Sequence, residues 1–273
     1  MMKLAISNIA WNTYEEAAAL AAAREHGLTG IEVAPTKLWP EWRGASPAAA
    51  EEYARKLANE GFEIPALQSL LYATDGLELF ASPEARRATL SHLEFVADLA
   101  VSFGARVLVF GSPKNRIRGA MAIADATQVA AEFFAQAGEI CHERGVVLGI
   151  EMNPADYKCD FLNQSEDTVA FVRQVAHPGI QFHCDAAAMR LIFEDPESVI
   201  NDAGNLLAHF HASEPFLADF SSPEGNHAVA AAALHDGGYD GWVSIEMVRS
   251  EPAVEAVAAA AKFVSHTYGR PTT

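Results

Sequence analysis

Basic residues are scarce in this chain: 19 Lys and Arg stand against 36 Asp and Glu in 273 residues, a formal net charge of −17. A field of that sign repels phosphate backbones and anionic lipid, so nucleic acid and membrane surfaces are poor partners. Cysteine is scarce as well. Cys141, Cys159 and Cys184 are odd in number and form no CxxC pair, which reads as reduced thiols in a cytoplasmic protein rather than a disulfide framework. No window offers the ~18 uninterrupted apolar residues of a membrane helix. The opening MMKLAISNIAW has neither the apolar length nor the cleavage site of a signal peptide. A glycine-rich phosphate loop is missing after Ile9, where a doubly wound nucleotide-binding sheet would usually carry one. The partners left are small molecules, cations, or another copy of the chain in a homo-oligomer.

What the chain does have is alternation. Short apolar runs begin near Leu4, Gly30, Ile64, Arg106, Val146, Ile180, Leu207 and Trp242, several of them continuous enough for parallel strands buried on both faces. Alanine-rich helical stretches lie between them, among them Pro47 to Glu60, Pro83 to Phe103, Ala124 to Arg144 and Glu251 to Tyr268. Gly27, Gly61, Gly104, Gly145 and Gly241 fall where helix C-caps favour glycine. Eight units of roughly 34 residues match the (β/α)₈ barrel. No linker or low-complexity segment divides the chain, so the expected fold class is α/β, a single (β/α)₈ TIM barrel domain over residues 1–273.

Functional side chains of such barrels gather at the C-terminal strand ends. Here the fifth strand ends in Glu151, the sixth in Asp185, the seventh in His211 and the eighth in Glu246, at separations of 34, 26 and 35 residues. Three carboxylates and an imidazole at equivalent heights on one rim would repel one another unless a cation sat among them. An oxygen-rich set with one nitrogen suits Mn²⁺, Mg²⁺ or Co²⁺, with Zn²⁺ a further candidate.

The segments LAHFHASEP and GYDGWVSIEM, with GIEMN and FHCD before them, resemble the xylose-isomerase-like barrels, in particular sugar isomerases and epimerases of the D-tagatose 3-epimerase type. The resemblance implies one divalent metal ion, Mn²⁺ by preference, held by Glu151, Asp185, His211 and Glu246, with Glu151 and Glu246 also acting as the acid/base pair. Two positions depart from that family's pattern: Ala188 stands where its sugar epimerases have a histidine, and Leu217 where they have an arginine. The metal site is therefore expected to be kept and substrate recognition rebuilt.

Other residues join as substrate contacts. Lys114 and Arg116, in the loop GSPKNRIRG of an otherwise acidic chain, could hold a phosphate or carboxylate. Asn153 and Lys158 follow Glu151 closely, Gln68 lies in the third strand, and Glu214 and His227 could reach the pocket from above. Trp11, with Trp39, Trp42 and Tyr72, could wall a sugar ring. His183 and His209, two residues before Asp185 and His211, face the interior one layer deeper and read as hydrogen-bonded core. The expected function is a divalent-metal-dependent isomerase or epimerase of a sugar, sugar phosphate or sugar derivative, moving protons through an enediolate with two glutamates. The alternatives are a metal-dependent lyase or dehydratase of a keto acid and a barrel that binds metal or sugar without catalysis. A nuclease of the same fold would need histidines that the strand ends near Gln68, Gly111 and Ala188 lack.

Overall fold

A computed structural model describes residues 2–269. The apolar runs form eight parallel strands: β1 (Lys3–Ser7), β2 (Gly30–Glu32), β3 (Ala66–Leu67), β4 (Val107–Phe110), β5 (Val147–Glu151), β6 (Ile180–Asp185), β7 (Leu207–Ser213) and β8 (Trp242–Glu246). Their hydrogen-bonded order is β2-β1-β8-β7-β6-β5-β4-β3, and parallel bridges Gly30–Glu63 and Val33–Leu67 join the two ends into a closed barrel. One core runs between strands and outer helices, built from residues such as Ile6, Leu108, Phe134, Phe182, Val243 and Val264. No helix among the described residues is long and apolar enough to cross a membrane.

Local chemistry fixes the helix ends. Ser46 and Ser82 accept backbone N–H groups of Ala49 and Ala85, and each is followed by a proline that has no N–H to lose. The long helix Pro83–Phe103 stops at Gly104, whose φ of 77° is the left-handed cap that a side chain would disfavour. The last helix starts at Ala253 rather than Glu251, because Pro252 keeps extended backbone (ψ 133°) before it. Gly241, unlike the other four glycines expected as caps, does not take positive φ; Gly238 does so instead. The third strand is shorter than its apolar run suggests. Pro65 has no N–H to offer a ladder, although its carbonyl accepts from Arg106 and Val107.

Register matters most for the site. Glu151 lies beside His183, Asp185 beside His211, and Ser213 beside Glu246. The four strand-end residues are thus not level, as counting βα units suggests; the tilt of the strands steps them around the rim. The β6–β7 ladder also shifts register between Phe182 and His183, which re-aims the inward side chains of β6.

Candidate metal centre and its pocket

At the C-terminal mouth of the barrel lies a pocket of about 460 Å³, lined by Glu151, Asp185 and Glu246 on one side and by Gln68, Ser69, Gly111, Ser112 and Pro113 on the other. Val109, Asn153, Tyr157, Phe216 and Leu217 complete its wall. Its volume falls within the ordinary range for small-ligand sites.

Each strand-end group is held by neighbours of its own. Asp185 caps the short helix Ala186–Leu191 by accepting the Ala188 N–H at 2.6 Å, and it accepts the Ser213 hydroxyl, also at 2.6 Å. Glu151 accepts the Asn153 amide N–H at 3.1 Å. It leans over Gly111, where a Cβ atom would stand 2.1 Å from Glu151 Oε2, so the bare backbone just after β4 makes room for the carboxylate. Glu246 Oε2 lies 3.2 Å from His211 Nδ1, and Asp185 Oδ2 lies 3.7 Å from the same nitrogen.

The other face of His211 meets Glu32, fully buried on β2. The Nε2 atoms of His211 and His209 stand 2.9 and 3.0 Å from the two oxygens of Glu32. A carboxylate only accepts, so both Nε2 atoms carry protons and donate. In the neutral ring the lone pair of His211 is then on Nδ1, which is buried without a hydrogen-bond partner among the described residues. That arrangement is the usual outer support of a metal-binding imidazole.

The electrostatics report crowding. Burial pushes the Glu151 carboxyl up to about 8, with Asp185 and Glu246 adding to the shift. Burial likewise raises Asp185 to about 6, helped by Glu246. Burial opposes charge on His211, but Glu32 and Glu246 overcome it and hold the imidazolium well above its usual range. Glu32 goes the other way: burial would raise it, yet His211 and His209 keep it well below the ordinary carboxylate range. A divalent ion among Glu151, Asp185 and His211 Nδ1 would relieve the repulsion and meet the unpartnered nitrogen. The residues therefore fit such an ion. Glu151, Asp185 and His211, together with His183, offer ligand atoms all within 4.8 Å of one another.

The residues expected at the substrate divide. Gln68 and Asn153 line the pocket. Lys114 and Lys158 are exposed and do not line it. Arg116 is wholly buried behind the same loop; its three guanidinium nitrogens find no hydrogen-bond partner among the described residues. Glu214 and His227 are buried and paired with each other at 2.7 Å, and Tyr268 lies 2.7 Å from the second nitrogen of His227. Trp11 is buried in the core, Trp42 packs edge-on against His92, and Tyr72 is exposed.

The family model described as xylose isomerase-like TIM barrel matches residues 20–266. The chain belongs to that family. Among solved structures, this xylose isomerase-like barrel superimposes on D-psicose 3-epimerase with D-tagatose from Clostridium cellulolyticum H10 with a TM-score of 0.79, at 16% identity over 98% of this chain and 99% of the other. It matches an L-ribulose 3-epimerase with a TM-score of 0.79, at 19% identity over 98% and 95% of the two chains. It also matches the IOLI protein with a bound zinc atom, with a TM-score of 0.76, at 17% identity over the full length of both. No curated protein matches the sequence significantly. At these identities the likeness concerns the fold, and function has to be argued from the site.

Sequence reasoning passed over Glu32. Its signal was a carboxylate in the apolar run GIEVA of a strand buried on both faces. The carboxylate clamp makes a definite expectation. Glu32→Gln keeps the volume but cannot accept from both imidazoles without turning its amide N–H₂ toward one of them. Divalent-metal affinity, read by titration calorimetry, should fall by roughly 10–100-fold. Unchanged affinity would show that the clamp does not support the site.

Proposed function

We propose that this xylose isomerase-like barrel is a divalent-metal-dependent isomerase or epimerase of a sugar, sugar phosphate or sugar derivative. The observation that carries the reading is the convergence of Glu151, Asp185 and Glu246 on one pocket of sugar size, with the buried His211 Nδ1 directly behind Asp185 and Glu246. The names of the structural neighbours, two sugar 3-epimerases among them, agree with it. Glu151, Asp185, His211 and Glu246 would hold the ion; this set alone, three oxygen donors and one nitrogen, is one that Mn²⁺ takes. A bound ion supplies Lewis acidity where negative charge gathers on the enediolate oxygens. Glu151 and Glu246 remove and return the proton at the reacting carbon. Asn153 steadies the Glu151 carboxylate, while Gln68 and Ser112 offer neutral hydrogen bonds to hydroxyl groups.

The test is exchange. The protein with Mn²⁺ is incubated in deuterated water with a panel of ketoses, and loss of the C–H signal next to the carbonyl is followed by NMR. Exchange accompanied by a new epimer or aldose supports the reading. Metal bound with no exchange on any member would favour a barrel that binds without catalysis.

A second reading, a lyase or dehydratase of a keto acid, is favoured by one feature. The Arg116 guanidinium is buried without an acceptor among the described residues, which is costly; it does not line the pocket, so a substrate carboxylate or phosphate would satisfy it by displacing the Pro113–Arg116 turn. Lys114 and Arg116 belong to the same loop as Ser112 and Pro113 of the pocket wall. Replacing Lys114 and Arg116 by alanine should raise KM at least ~10-fold for a carboxylated or phosphorylated substrate and leave neutral analogues within about twofold, as loss of a charge-assisted pair predicts. Equal losses for both would assign the pair to loop folding.

A further inference from the structure

His183 does not behave as an ordinary core residue. Its side chain is fully buried, and neither ring nitrogen has a hydrogen-bond partner among the described residues. Its neighbour across the strands is not a hydrophobe but Glu151: the two are register partners on β6 and β5. The Nε2 atom stands 3.7 Å from Glu151 Oε1, too far for a hydrogen bond. Two donors that share one ion at ~2.0–2.2 Å sit roughly 3–3.7 Å apart, so the separation suits a common metal. The 3.7 Å between Asp185 Oδ2 and His211 Nδ1 is of the same kind.

Two further features aim the ring. The ladder shifts register at Phe182 and His183, the place where an inward side chain is redirected. Gly149, on the next strand, leaves space beside it: a Cβ there would come within 3.2 Å of His183 Cβ. The rings of His183 and His211 meet edge to face, with centroids 4.2 Å apart.

The geometry points to His183 Nε2 as a metal ligand alongside Glu151, Asp185 and His211, forming a centre of two nitrogens and two carboxylates. The inference rests on the divalent-metal reading above and deepens it. A second imidazole moves the preference of the site from Mn²⁺ and Mg²⁺ toward Zn²⁺ and Co²⁺, because nitrogen donors favour the later first-row ions. Glu246, next to His211 Nδ1, is then less needed as a ligand and freer to exchange protons with substrate.

The test counts imidazoles directly. In the Co²⁺-loaded wild-type protein, each bound imidazole contributes one exchangeable, paramagnetically shifted N–H signal in proton NMR. Two such signals, one of them lost in His183→Leu, would establish the ligand; a single signal in the wild-type protein would overturn it. Competition titration gives an independent reading. His183→Leu should weaken Zn²⁺ binding by more than the roughly 10–100-fold typical of losing an outer-shell partner, and Mn²⁺ binding by a smaller factor, because the imidazole bond to the earlier ion is weaker. Unchanged affinity for both ions would also overturn the assignment. If wild-type protein bound neither Co²⁺ nor Zn²⁺, the metal reading itself would fall with it, whereas one bound ion with one imidazole would remove only His183.

Discussion

Glu246→Gln and Glu151→Gln, each measured at saturating metal, are expected to lose roughly 10²–10⁴-fold in turnover, the usual loss when general acid–base catalysis is removed. Either change keeps the side-chain volume and a carbonyl oxygen that can still face an ion, but the base is gone. The two glutamates line the charged wall of the same pocket from strands separated by those carrying Asp185 and His211, so two carboxylates reach a bound substrate from different positions along that wall. The variants should differ in one respect. Glu151 is one of the clustered groups that could hold an ion, whereas Glu246 reaches that cluster through the contact with His211, so metal affinity should fall more for Glu151→Gln. Steady-state kinetics and calorimetry on the same preparations separate the two losses. Near wild-type turnover in both variants would remove the two-glutamate mechanism.

The second large effect is on stability. Glu151 and Asp185 titrate above their ordinary values in the folded chain, near 8 and 6, and His211 well above its own. A group with a raised folded-state pKa favours folding while protonated; that contribution is complete below the unfolded pKa and is lost as pH rises through the folded one. The metal-free protein should therefore lose stability from about pH 4 to pH 8 through the two carboxyls, and through His211 above about 6.5. Glu32 acts oppositely, but its contribution fades only in acid, well below the ordinary carboxylate range. An ion that binds the deprotonated ligands releases these protons, so its affinity rises over the same interval. At a metal concentration 100 times Kd the gain is about 2.7 kcal/mol, or at least about 5 °C in Tm for a chain of this size. The melting temperature with and without Zn²⁺ at pH 5.5 and pH 8 checks the sign: the shift should be larger at pH 8. A shift independent of pH would mean that Glu151, Asp185 and His211 are not displaced from their protons by the ion.

The barrel was legible because each strand is a dense apolar run and each helix carries its own caps, as Ser46–Pro47 and Ser82–Pro83 show. The strand-end residues Glu151, Asp185, His211 and Glu246 were legible because one polar residue closing an apolar strand is hard to explain otherwise. Register was not legible. Counting βα units treats the rim as level, and only the stepped pairing of Glu151 with His183 shows which imidazole stands beside which carboxylate. The clamp between Glu32 and the two histidines joins residues 177 and 179 positions apart, and no local pattern marks it. Lys114 and Arg116, close in sequence, differ in exposure for a geometric reason. They belong to one short turn, Pro113–Arg116, that points one side chain to solvent and the other into the interior. Glu214 and His227 looked available in sequence, but each satisfies the other.

The pocket is divided by charge. Every ionisable group on its wall comes from β5 to β8 or the loop after β5, while the β3 and β4 side presents Gln68, Ser69, Gly111, Ser112 and Pro113. The divide sorts the site into two parts that can change separately. Apart from Gly111, whose bare backbone seats the Glu151 carboxylate, replacements on the β3 and β4 loops alter which molecule fits without touching Glu151, Asp185 or Glu246, and a ligand that chelates at the charged half arrives with its orientation already fixed. A barrel built this way can exchange one substrate for another while its reaction type stays the same.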